Sequence, residues 1–221
     1  MLMWGNFQLT ITKKFSRLTL DGEPRDPIVS SAGALGPLTL VRIDNKRDSL
    51  LWNEFMERYH YLGYTPLPGA QIRYFIQSSH GLLGAIGFSA AAWKVQPRDT
   101  WIGWPAPVRK KQLHLIVGNS RFLIFPWVNV KNLASRILSL CAKQLPGDWQ
   151  QTYGYTPVLL ETFVEKDRFA GTCYKAANWT WVGVTKGRGK LDTNKEYALP
   201  VKDVYMYPLH KKFRHLLTQP I

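Results

Sequence analysis

Ile72-Arg73-Tyr74-Phe75-Ile76-Gln77-Ser78-Ser79-His80-Gly81-Leu82-Leu83-Gly84-Ala85-Ile86-Gly87-Phe88 holds two apolar, β-favouring runs, 72–78 and 82–88, around a Ser-His-Gly turn. Short strands joined by three residues that include a glycine read as a β-hairpin. Gly81, Gly84 and Gly87 lie inside it and are read as structural. Upstream, Asp48 or Ser49 caps a helix whose Leu51, Trp52, Phe55 and Met56 recur at helical spacing, ending near Tyr59-His60-Tyr61-Leu62-Gly63. Downstream come β-rich runs at 112–117 and 121–125 around Gly118-Asn119, then a turn at 126–132. A helix over 133–145 follows, stopped by Pro146-Gly147, then a strand over 158–164 and a short helix within 169–177. A strand at 179–185, a basic turn at 186–190 and a last strand within 196–206 complete the order. Helices set between strands after an antiparallel hairpin imply an α/β fold, a mixed sheet with covering helices.

The domain spans 46–206. Residues 1–45, with a short strand at 7–11 followed by Asp21-Gly22-Glu23-Pro24, Asp26-Pro27 and Ser30-Ser31-Ala32-Gly33, read as an arm or linker, and 207–221 as a basic tail. With 45% hydrophobic residues the composition is globular. Two cysteines, Cys141 and Cys173, without CxxC or zinc-ligand spacing, suit a reducing compartment. The N-terminus lacks the order of a signal peptide, and no apolar run is long enough to span a bilayer, so the expectation is a soluble, cytoplasmic protein with no membrane partner.

Charge points to the partner. Twenty-nine Lys and Arg face 15 Asp and Glu, a formal +14, and such a surplus draws polyanions, nucleic acid first, DNA favoured. Three clusters carry it: Arg109, Lys110 and Lys111; Lys186, Arg188 and Lys190; Lys211, Lys212 and Arg214. Trp93, Trp101, Trp104 and Trp127 lie near them in sequence and are candidate stacking platforms. Among the acids, Glu161 stands inside an apolar run, where a carboxylate needs a partner, and an Arg is expected to supply it. Glu165 follows that strand, at the end where open α/β sheets gather ligands, as a base or metal ligand. Asp99, Glu161 and Glu165 together are the acids a divalent metal would need in a nuclease.

Four patches carry a family resemblance: Tyr59-His60-Tyr61-Leu62-Gly63; Asn119-Ser120-Arg121-Phe122-Leu123-Ile124-Phe125-Pro126; Asn132-Leu133-Ala134-Ser135-Arg136; and Glu161-Thr162-Phe163-Val164-Glu165 leading to Gly171-Thr172-Cys173-Tyr174 and on to Trp179. With Ile102-Gly103-Trp104 and Gly187-Arg188-Gly189, this set resembles the Druantia anti-phage A-protein family, whose relatives also occur beside transposases. The element order is that of the GNAT-type acyltransferase fold. The same patches are more distantly similar to phage Mom-type proteins, GNAT-fold enzymes that modify adenine in DNA. That likeness implies catalytic roles for His60, Tyr61, Glu165 (where those proteins usually have Asp) and Tyr174, the last as general acid. It also implies cofactor contacts from Asn132, Ser135 and Arg136. In acetyltransferases a Gly-rich turn at a helix N-terminus cradles coenzyme A. Pro126-Trp127-Val128-Asn129-Val130-Lys131-Asn132 contains no glycine, which argues against coenzyme A.

The expected function is DNA binding with modification of a base, in anti-phage defence or a mobile element. One rival is a non-catalytic DNA-binding subunit recruiting a helicase or transposase. Another is a metal-dependent nuclease.

Overall fold

The computed structural model describes residues 18–31, 33–187 and 199–219. The expected strand at 7–11 and the basic residues Arg188 and Lys190 lie outside the described residues.

Seven strands form one sheet in the order β2-β3-β4-β5-β7-β9-β8. They are β2 (Thr39–Arg42), β3 (Gln71–Ser78), β4 (Gly81–Ala90), β5 (Ile116–Ile124), β7 (Leu159–Glu165), β8 (Thr180–Val184) and β9 (Lys202–Pro208). Every neighbouring pair is antiparallel except β5 and β7. A parallel pair needs a long crossover, and α4 (Leu133–Tyr153) supplies it. A separate two-stranded ladder joins β1 (Ile28–Ser30) to β6 (Val128–Val130) in parallel. The mixed sheet with covering helices expected from the element order is therefore present.

The strand period of two divides the residues between two faces. On one face lie α1 (Lys46–Tyr59), α2 (Gln96–Ile102), α3 (Ala106–Gln112) and α6 (Phe213–Thr218). Phe55 of α1 meets Phe75 there at 6.0 Å, and Ile116, Leu159 and Met206 share a cluster with Ile102, Phe213 and Leu217. On the other face lie α4 and α5 (Thr172–Ala176), where Asp148 accepts the Tyr74 hydroxyl at 2.7 Å and Tyr174 stacks on Tyr205.

Several boundaries differ from the sequence expectation for identifiable reasons. Asn45, not Asp48 or Ser49, caps α1: its side chain accepts the Asp48 N–H at 2.9 Å and donates to the Asp48 carboxylate. Pro146 does not stop α4, which runs on to Tyr153. An internal proline costs about 3 kcal/mol. Full burial of Leu145 and Trp149 on either side of it offsets this at about 1.5–3 kcal/mol each. The two β-rich runs expected around Gly118-Asn119 are one strand, because β5 passes unbroken through it with a bulge opposite Gly87 and Phe88. The stretch before it folds as α2 and α3, with Pro97 and Pro107 in their first turns, where a missing N–H is harmless. Within the segment expected as an arm, Leu35 and Leu40 are buried and β2 forms one sheet edge. Within the expected tail, α6 buries Phe213 and Leu217.

Candidate functional site

Hydrogen bonding between β5 and β7 spans only Ile116 to Asn119 on one strand and Leu159 to Thr162 on the other. Beyond that point β5 stays with β4 and β7 with β9, so the parallel pair splits. The split holds a cavity of about 570 Å³. Its walls come from both faces of the sheet: His60, Tyr61 and Leu62 beyond α1, residues 119–122 of β5, Ala134 of α4, residues 162–164 of β7 and residues 169–174. Such a volume suits a small organic ligand.

Tyr174 is placed by the turn before it. Gly171 caps α5 at φ 65°, and a Cβ there would stand 2.6 Å from the Tyr205 hydroxyl, so only glycine closes this turn. The Tyr174 ring packs edge-on to Trp179 at 5.2 Å and stacks on Tyr205 at 5.9 Å. Its hydroxyl donates to Asn119 Oδ1 at 2.7 Å, with the Thr162 hydroxyl 3.4 Å away. Asn119 is oriented in turn: its Nδ2 donates to the carbonyls of Gly87 and Arg121, each at 3.1 Å. Burial raises the Tyr174 pKa, so the phenol keeps its proton across the neutral range.

His60 terminates α1 through its N–H to the Met56 carbonyl. Its Nδ1 accepts the Leu62 N–H at 3.2 Å, which puts the proton of the neutral ring on Nε2. Burial, and then the Arg121 charge, lower its pKa to about 4. The ring is therefore neutral at neutral pH. Tyr61 stacks on His60 at 4.9 Å and meets Phe169 edge-on at 5.1 Å, with the Arg168 guanidinium 4.9 Å above it.

The predicted residues divide. His60, Tyr61 and Tyr174 share the cavity wall. Glu165 is not on it; its carboxylate lies 3.6 Å from Arg168. Asn132, Ser135 and Arg136 are not on it either. Ser135 Oγ donates to the Asn132 carbonyl at 3.1 Å and Arg136 to the Gly36 carbonyl at 2.7 Å, so these residues shape the start of α4 and tie it to a neighbouring turn. The segment that would cradle a pyrophosphate is built for another purpose. Its Val128–Val130 strand pairs with β1, the Val128 N–H donates to Phe125, the Ile28 N–H to Trp127, and Trp127 stacks on Phe125 at 4.8 Å. These residues do not fit the coenzyme A phosphates.

The three acids of the nuclease reading are engaged elsewhere. Glu161 and Arg98, both fully buried, pair at 2.8 Å, the arginine partner expected for that acid. Asp99 accepts from Arg98 at 2.9 Å, Arg109 at 3.1 Å and the Trp104 indole at 3.1 Å. A guanidinium occupies the space between Asp99 and Glu161, and no group of three His, Cys, Asp or Glu able to hold a metal exists among the described residues. Arg109 is therefore tied to Asp99, while Lys110, Lys186, Lys211, Lys212 and Arg214 are exposed and Lys111 is partnered. Packing of α3 on α6 brings the 109–111 and 211–214 clusters to one surface, with Arg214 4.5 Å over Trp101. Trp104 and Trp127 are core residues, whereas Trp93 and Trp181, 57% and 54% exposed, face solvent.

The residue missed in the sequence is Arg121, on β5 beside His60 and Tyr61. It donates to the Ser120 carbonyl at 2.7 Å, and among the described residues no carboxylate pairs with it. In the sequence it stands as an ordinary strand arginine, and only the fold brings it beside His60 and Tyr61.

A family model for Druantia protein DruA matches residues 8–197, most of the chain. The chain belongs to that family. No curated protein matches it. Among solved structures, it is similar to aminoglycoside acetyltransferase AAC(6')-Ib in complex with coenzyme A (13% identity, 77% of this chain and 95% of the other, TM-score 0.49). It is also similar to RimL, the ribosomal L7/L12 alpha-N-protein acetyltransferase (12%, 79% and 94%, 0.43). A GNAT-family acetyltransferase from Desulfovibrio desulfuricans gives 12%, 79% and 100%, with a TM-score of 0.46. Among the described residues of this DruA-family chain, no helix is long and apolar enough to cross a membrane.

Proposed function

We propose that this chain binds DNA and modifies a base inside the cavity between β5 and β7, as a component of an anti-phage system. One observation carries this reading: a buried protonated phenol, a neutral imidazole and an arginine without a carboxylate partner face one cavity in a chain of charge +14. The surface of α3 and α6 holds the phosphate backbone electrostatically. A base taken out of the stack enters the cavity, as chemistry on a base requires, and stacks on Tyr61. Tyr174 turns its hydroxyl from Asn119 to give its proton to the group that leaves the donor, and the proton released by the base amine restores the phenol. The likeness to Mom-type proteins supports the same roles for His60, Tyr61 and Tyr174.

Mass spectrometry of nucleosides tests this. DNA from cells producing the wild type, the Tyr174→Phe variant or no protein is hydrolysed and compared. A mass increment on one nucleoside is expected with the wild type alone. Identical spectra in all three overturn the modification reading. DNA affinity that does not fall with rising salt overturns the binding premise.

A further inference from the structure

A second, smaller hollow of about 110 Å³ adjoins the first and shares Ser120 and Arg121 with it. It is made by the strand register. Arg73 on β3 and Arg121 on β5 both lie opposite Gly87 on β4, one on each side. The three residues point to the face covered by α1. Gly87 has no side chain, and a Cβ there would stand 3.0 Å from the Trp52 indole and 3.7 Å from Arg121 Cβ. The Trp52 indole lies against Gly87, and the hollow opens beside it, walled by Ser49, residues 64–67 and the two arginines.

The two arginines are unusual in their partners. Arg73 donates to Asn53 Oδ1 and to Ser49 Oγ, both at 2.8 Å and both neutral, and lies 5.2 Å from the Trp52 ring. Arg121 donates to the Ser120 carbonyl. With five N–H groups each, both retain donors. Burial lowers the pKa of each, and no carboxylate among the described residues acts on either. Two positive charges about two strand spacings apart, roughly 10 Å at the backbone, converge on a hollow with no negative charge in it. Its volume lies below the ~300–1,000 Å³ of small-molecule pockets, so it takes one polar group of a ligand whose remainder lies elsewhere. Arginine pairs are suited to a phosphoryl group, whose oxygens accept two N–H bonds from one guanidinium.

We infer that the hollow between Arg73, Gly87 and Arg121 is a phosphate-binding site, holding the phosphate of the nucleotide whose base occupies the larger cavity. The phosphate site stands on its own geometry; its link to a nucleotide rests on the function proposed above. The shared wall of Ser120 and Arg121 sets phosphate and base side by side, so the pair of hollows measures one nucleotide.

Binding of inorganic phosphate and of 5′-dAMP to the full chain, followed by calorimetry, tests both halves. Expected results are millimolar or tighter phosphate binding, weakened at least tenfold by Arg73→Gln and by Arg121→Gln but not by Lys143→Gln on the exposed side of α4. 5′-dAMP should bind at least tenfold more tightly than inorganic phosphate. Side-chain NMR of the wild type, following arginine Nε signals, covers the case in which a variant misfolds: phosphate must shift Arg73 and Arg121. Phosphate that shifts neither, or binds equally to the glutamine variants, overturns the site. Arginine-dependent phosphate binding without any gain for 5′-dAMP keeps the site but removes the base from its neighbour. Nucleoside mass spectrometry scores the modification separately from all of these.

Discussion

Removing a single oxygen from the cavity wall, Tyr174→Phe, separates structural from chemical roles for this side chain. The hydroxyl makes a 2.7 Å hydrogen bond to Asn119 Oδ1 in a residue only 8% exposed. Its loss leaves that acceptor without its donor, a cost of about 1–3 kcal/mol for a buried group. Asn119 cannot turn away to find another, because its amide is held by the Gly87 and Arg121 carbonyls. Asn119 also lines the 570 Å³ cavity, so water reaches Oδ1 and the cost falls toward the lower end, about 1–2 kcal/mol. Packing on Trp179 and Tyr205 is unchanged by the substitution. At about 2–4 °C per kcal/mol for a chain of this size, Tm should fall by about 2–8 °C. Base modification should fall by about 10²–10⁴-fold, the usual range for a proton-transferring side chain. Differential scanning calorimetry and nucleoside mass spectrometry on the same preparations read the two effects. A variant that loses stability but modifies DNA at the wild-type rate refutes Tyr174 as the proton donor.

Glu161→Ala removes one of the two carboxylates that hold the fully buried Arg98 guanidinium, Asp99 remaining, and should cost about 1.5–3 kcal/mol, read as a drop in urea midpoint. His60 makes stability pH-dependent. Its pKa falls from 6.5 to about 4 on folding, so between those values the unfolded state binds more protons and stability rises with pH. At about 1.36 kcal/mol per unit the ceiling is about 3 kcal/mol, and partial exposure of the ring screens this to about 1–2. Urea titrations from pH 4 to 7 should lose that much of their slope in His60→Asn. Lys110→Gln with Lys212→Gln should lower the salt slope of DNA affinity by about 2, with little effect on Tm. Arg121→Met should leave the ligand-free protein about as stable as wild type, and a loss beyond about 2 kcal/mol would make that guanidinium a structural element.

The α1–β3–β4 unit and the α4 crossover were legible because their periodicities are long and their turn residues unambiguous. His60, Tyr61 and Tyr174 were legible as a set only through the family patches, since they stand 113 positions apart and nothing local announces a shared wall. Glu165, Asn132, Ser135 and Arg136 illustrate the limit of that method: a motif fixes chain position, but side-chain direction decides which residues reach the cavity. Proline misled once: Pro146, read as a helix stop, is overridden by the buried residues around it. Arg73 and Arg121 went unseen because each is an ordinary strand arginine in isolation. Only the register through Gly87 makes them a pair.

The surplus of positive charge is distributed with a pattern that composition cannot show. Arg42, Arg58, Arg98, Arg109 and Arg168 each lie within 4.0 Å of a carboxylate: Asp44, Glu54, Glu161, Asp99 and Glu165 respectively. Four of these pairs are local in sequence, and Arg98 of α2 with Glu161 of β7 is the one among them that joins distant segments. Carboxylates are scarce in this chain, and these arginines take them. Arg73 and Arg121 receive none, although both are half-buried and an uncompensated charge in such a place opposes folding. A guanidinium kept at that cost, where β3 and β5 on either side of β4 could have carried apolar residues against Trp52, matches the phosphate site inferred above. Its partner has to enter beside Trp52 and reach the cavity along Ser120. A nucleotide with its phosphate meets all three conditions: charge, size and the direction of the shared wall.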